Sequence, residues 1–127
     1  MPPHKCRAFV HQALVSLNGA DPDAISAAVT TRLCGAVAHE GQCRWPHTNE
    51  IHWVDDVILR TVFLAPESEE REVRVLIRSA LRASSEWVVL SDRTESLTSE
   101  ERALARRLRR GSHQTAHLSQ LVAHDLR

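Results

Sequence analysis

Residues 5–17 read "KCRAFVHQALVSL", and how this stretch folds decides what the rest of the chain can pack against. Cys6, Phe9, Val10, Ala13, Leu14 and Leu17 stand at i, i+3, i+4, i+7, i+8 and i+11. That is the spacing of one face of an α-helix. Asn18-Gly19, which follows, is a natural helix stop in the left-handed conformation. The pattern predicts an amphipathic helix over 5–17.

Working outward, Asp21 and Pro22 mark a second helix start. Asp21 is suited to the N-cap, and Pro22 to the first helical position, where its missing N–H costs nothing. Ile25, Val29, Leu33 and Val37 give this second helix, within 21–39, its buried stripe. The two segments together predict an N-terminal helical hairpin.

Gly41 and Pro46 punctuate the segment that comes next, which reads as irregular. Residues 51–66, "IHWVDDVILRTVFLAP", are rich in β-branched and aromatic residues. They predict either one long bulged strand or a hairpin turning at Asp55-Asp56. Residues 67–83 form the clearest helix, with Val73, Leu76, Ile77, Ala80 and Leu81 on one face. A short buried strand is expected at 86–91. Thr98 with Glu101 three residues on is a capping box, and it opens a last helix that ends at Gly111.

The expected fold class is α/β, with α+β as the alternative. It is a two-layer arrangement: N-terminal helical hairpin, a small sheet of two or three strands, a strand-helix-strand unit over 57–91, and a C-terminal helix. That unit closes either as a parallel crossover or as an antiparallel insertion. Residues 1–111 make one globular domain. Residues 112–127 are a tail or short docking helix, with His113, His117 and His124 on one side and Leu118, Leu121 and Val122 on the other.

Bulk properties narrow the function. Sixteen basic residues balance sixteen acidic ones across 127 residues, which argues against a surface that tracks nucleic acid or anionic lipid as a whole. Fifteen of the basic residues are arginine, a bias that a GC-rich genome explains without phosphate recognition. Three cysteines, an odd number with no apolar leader before them, fit a cytoplasmic protein. No apolar run is long enough to span a membrane.

Two regions hold candidate chemistry. The first is Cys34–His52, "CGAVAHEGQCRWPHTNEIH". Cys34, His39, Cys43 and His47 are the ligand types zinc takes in tetrahedral sites, at gaps of three to four residues. The CxxC knuckle of most structural zinc sites is absent. The same segment allows a nucleophilic Cys43 with His47 as its base and Glu40 or Glu50 orienting the imidazole. Trp45 is either a partner anchor or a lid on the core.

The second region is the arginine row of 67–83. Arg71, Arg74, Arg78 and Arg82 fall within about 80° of helical arc, positioned to face a partner, with Glu67–Arg71 and Glu70–Arg74 as internal pairs. Arg102, Arg106, Arg107, Arg109 and Arg110 extend this basic character only if the two helices are neighbours. The chain therefore reads as a small cytoplasmic binding or accessory protein acting through a partner surface, with 34–52 as a candidate zinc-supported loop. A protein partner or a second copy ranks ahead of nucleic acid, and a membrane is not expected. The alternatives are a small enzyme using Cys43 and His47, and a nucleic-acid-binding regulator using the arginine helices.

Overall fold

The computed structural model describes residues 6–34 and 44–111. In chain order the elements are β1 (Cys6–Ser16), α1 (Pro22–Cys34), β2 (His47–Trp53), β3 (Val57–Pro66), α2 (Glu70–Arg82), β4 (Val88–Glu95) and α3 (Ser99–Gly111). A 3₁₀ turn at Glu67–Glu69 leads into α2. The strands form one sheet in the order β2-β3-β1-β4, antiparallel at every pairing. The class is mixed α+β, which corrects the α/β expectation.

The N-terminal helical hairpin is not formed. Its first member is the central strand β1, and the sheet has four strands, not two or three. The reason lies in burial on both sides of β1. Val10, His11, Ala13 and Val15 are all buried; His11, Ala13 and Val15 fall on one face of the sheet and Val10 on the other. A helix with its apolar stripe on Phe9, Val10, Ala13 and Leu14 would have left His11 and Val15 in water. A strand covered on both faces carries near-continuous apolar residues, so helical spacing arises within it by chance. Asn18 and Gly19 do adopt positive φ, 52° and 89°, but they turn the chain out of a strand and not out of a helix.

β1 pairs antiparallel with both β3 and β4. β3 and β4 therefore run parallel to each other with β1 inserted between them. β1 and β2 are likewise parallel, with β3 between them. Two interleaved βαβ units of this kind make the split βαβ connectivity of ferredoxin-like folds. The strand-helix-strand unit at 57–91 is thus a parallel crossover with a strand inserted.

One face of the sheet presents Phe9, Ala13, Val15, Leu59 and Phe63 to Ile25, Val29 and Leu33 of α1 and to Val73, Ile77 and Leu81 of α2. The other face presents Val10, Val62 and Leu64 to Ala105 and Leu108 of α3. The arrangement has three layers, which corrects the two-layer expectation. Asp21 caps α1 as expected, accepting a hydrogen bond from the Asp23 N–H at 2.9 Å. The hairpin alternative for 51–66 is the one formed, with a Val54 N–H to Asp56 carbonyl bond of 3.0 Å at its turn. β2 also takes in His47–Glu50, which corrects the irregular reading of that stretch.

The capping box at the start of α3 forms in both directions. Glu101 N–H donates to Thr98 Oγ1 at 3.1 Å, and Thr98 N–H donates to Glu101 Oε1 at 3.0 Å. Replacing Thr98 by Ala removes one acceptor for an orphan helix N–H and is expected to lower stability by about 1 kcal/mol in urea unfolding. No helix among the described residues is long and apolar enough to cross a membrane.

Candidate partner-binding site

The arginine row of α2 divides by depth. Arg74 points inward and is only 8% exposed, which corrects its placement on an open partner face. Its Nε donates to Glu70 Oε2 at 2.8 Å, and its Nη1 donates to the Val10 carbonyl at 2.9 Å and to His11 Nδ1 at 3.1 Å. The guanidinium stands 5.4 Å from the ring centre of Phe63, close enough for cation–π attraction. Arg74 is therefore a buried clasp between α2 and β1.

Arg78 and Arg82 share one acceptor on the neighbouring strand. Arg78 Nε lies 3.2 Å from Asp92 Oδ1, and Arg82 Nη2 lies 3.2 Å from Asp92 Oδ2. Both arginines are largely exposed, while the Asp92 side chain is buried. On its inner side Asp92 Oδ1 faces His11 Nε2 at 4.0 Å, too far for a hydrogen bond. His11 Nε2 is the one buried side-chain polar atom without a hydrogen-bond partner among the described residues. Burial first, and Arg74 second, push the His11 imidazole down to about 4. The ring is thus neutral near pH 7; with Nδ1 accepting from Arg74, it carries its proton on Nε2.

Arg71 is exposed and makes no ion pair among the described residues. The expected Glu67–Arg71 pair is replaced by Arg7–Glu67 at 3.3 Å, whereas the Glu70–Arg74 pair forms. Glu67 of the 3₁₀ turn, Glu70, Arg71, Val75 and Arg78 of α2 and Thr94 of β4 border an open depression along the seam between helix and strand. Val75 is 50% exposed there; Val88 and Leu90, also exposed, lie at the other end of β4. β4 is an edge strand, which corrects its reading as a buried one. The seam thus combines three outward arginines, the exposed Val75 and a strand edge that no other strand of the described residues covers.

The basic residues of α3 lie across the sheet from α2 and do not join this row. On their side the central feature is Arg60 of β3. Its Nε and Nη2 donate to the two oxygens of Glu101 at 2.6 and 2.8 Å, and it also bonds Gln12 and the Ser96 carbonyl. Hydrogen bonding to Arg60 pulls the Glu101 carboxyl down to about 2, against the opposing effect of burial. Glu50 moves the other way, raised by burial and by the adjacent Glu101 charge. The cluster pins α3 to the sheet.

In the Cys/His segment, His39 and Cys43 lie outside the described residues, as does the 112–127 tail with its histidines. Cys34 is half-buried at the end of α1 and is disulfide-bonded. His47 sits in β2, with Nδ1 3.0 Å from the Trp45 carbonyl and Nε2 3.2 Å from Thr30 Oγ1. It ties the strand to α1. Among the described residues no three His, Cys, Asp or Glu side chains are grouped to hold a metal ion. Trp45 is a core residue, 4% exposed, with its Nε1–H donated to Glu69 at 2.8 Å and Arg44 stacked over its ring at 4.3 Å.

His11, Asp92 and Arg60 were not singled out from the sequence, and Glu101 was read only as the capping-box partner of Thr98. No family model, curated protein or solved structure matches this chain.

Proposed function

We propose that this chain is a small binding protein that engages an acidic segment of a protein partner through the outer side of α2. The observation that carries this reading is Arg71, exposed and without an ion-pair partner among the described residues, beside exposed Val75 and the outward guanidinium of Arg78. A cation that is already charged and unpaired meets a carboxylate with little rearrangement, and the apolar neighbour adds area that bare charge lacks. Nucleic acid is the weaker reading. The arginines of α3 are on the opposite face of the sheet, so the two basic helices do not join into one track for a phosphate backbone.

The test is fluorescence anisotropy with a labelled oligo-glutamate peptide and, as the rival, a labelled DNA duplex. The peptide is expected to bind with an affinity that falls as salt rises. Arg71→Glu is expected to weaken it at least fivefold while leaving the thermal midpoint unchanged. Peptide binding that ignores Arg71→Glu, or its absence at low salt, overturns the proposal. Duplex binding that is lost in Arg71→Glu transfers the surface to nucleic acid.

A further inference from the structure

Among the described residues, β4 pairs only with β1, and no other backbone hydrogen bond reaches the second side of its backbone. An open edge is a template for another strand, and natural proteins usually blunt it with bulges, charges or a covering element. Here the protection is partial. The pairing with β1 shifts register at Leu14/Val15, an irregularity that bends the strand locally. From Ser91 to Glu95 the register with β1 is unbroken, Leu14 to Val10 in reverse order. This regular half is the half beside the depression bordered by Arg71, Val75, Arg78 and Thr94.

We infer that Ser91–Glu95 receives an extended acidic segment of a partner chain as a fifth strand, seated between the β4 edge and α2. This rests on the acidic-partner reading above and adds the mode of recognition. Strand addition draws affinity from main-chain hydrogen bonds and specificity from side chains that alternate between two faces. Side chains of the incoming segment that turn toward α2 meet Arg71, Val75 and Arg78. Glu67 and Glu70, which also line the depression, are matched by Arg7 and Arg74, so the charge left for a ligand is that of Arg71, which selects a carboxylate, and Val75 accepts an apolar neighbour. The side chains that turn the other way meet Arg93 and Glu95, which already pair with each other and so ask little of the ligand. The irregularity at Leu14/Val15 stops the added strand short of Val88 and Leu90, which limits its length to about five residues.

The test uses the full chain and three probes: an eight-residue peptide alternating Val and Glu, and two versions of it N-methylated at every second residue, one on each edge. Hydrogen exchange followed by NMR reads the amides of Ser91–Glu95. The parent peptide is expected to slow alternate amides of that stretch. One methylated version is expected to bind at least tenfold more weakly, and the other to bind like the parent, because an added strand uses only one of its edges. Oligo-glutamate binding at Arg71 with unchanged β4 amides and equal affinity for the two methylated peptides overturns strand addition alone. Failure of every acidic probe overturns both readings.

Discussion

Replacing Arg60 by Met is expected to lower the unfolding free energy by about 3–5 kcal/mol, the cost of leaving one partner of a buried ion pair uncompensated. The Glu101 side chain is 4% exposed and that of Arg60 14%. Truncation strands a carboxylate that holds two hydrogen bonds from Arg60, and it leaves the Ser96 carbonyl and Gln12 without their donor. Urea unfolding measures the loss. Glu101→Gln added to Arg60→Met removes the stranded charge and keeps an acceptor for the Thr98 N–H. The double variant is expected to recover about 1–3 kcal/mol of the loss, a coupling typical of groups in direct contact.

The same pair sets an acid limit. The Glu101 carboxyl is held at about 2 in the folded chain, against an ordinary value of 4.5. Its contribution to stability is complete above the ordinary value and is lost as pH falls from there through about 2. In Arg60→Met that loss of stability on acidification is expected to disappear or reverse, since burial now opposes the charged carboxylate and protonation relieves it. An unchanged curve would mean that Glu101 draws its charge stabilisation from elsewhere.

Arg74→Met is expected to cost about 2–3 kcal/mol, in the range for charge-assisted hydrogen bonds lost in a buried setting. Methionine keeps most of the apolar bulk against Phe9 and Phe63, so the loss reports the polar clasp to Val10, His11 and Glu70 more than packing. The variant has a second readout. Arg74 is one of the two largest influences that keep His11 neutral, and its removal should move the imidazole up from about 4 toward 6.5. In the native chain His11 supports folding fully above 6.5, and that support is lost as pH falls through about 4. In Arg74→Met the sensitive window narrows from its lower end. NMR titration of the His11 ring protons checks this, and an imidazole still titrating at about 4 would assign the whole shift to burial.

The helices were the legible part of this chain. Asp21-Pro22 and the Thr98–Glu101 box are local signals that work through hydrogen bonds within three residues, and both are made as expected. α2 has apolar residues on one face only, so its period is unambiguous. β1 was not legible because its two faces are both covered, one by α1 and α2 and the other by α3. Nothing within 5–17 reports that second cover. The polar half of β2 was hidden for a related reason: Asn49 reaches Ser26 and Thr30 and accepts from Thr61, all distant in sequence. At the site, Arg71, Arg78 and Arg82 followed from helical geometry. Arg74 did not, since only the position of Val10 and His11 makes an inward arginine tolerable.

The central place of β1 has a consequence for how the chain is made. Val15 pairs with Val89 across the sheet, so the strand that must sit in the middle waits for one that leaves the ribosome roughly 70 residues later. At about 5–20 residues per second, that interval is roughly 4–15 s. During it "AFVHQALV" has no final partner on its β4 side, and the helix that covers its second face is translated later still. Non-local strand pairing is slow to form for the same reason. The nascent chain thus carries an apolar stretch without its β4 partner throughout that interval, and substitutions that weaken β4 should show first as lower soluble yield during synthesis, before any change in the finished protein.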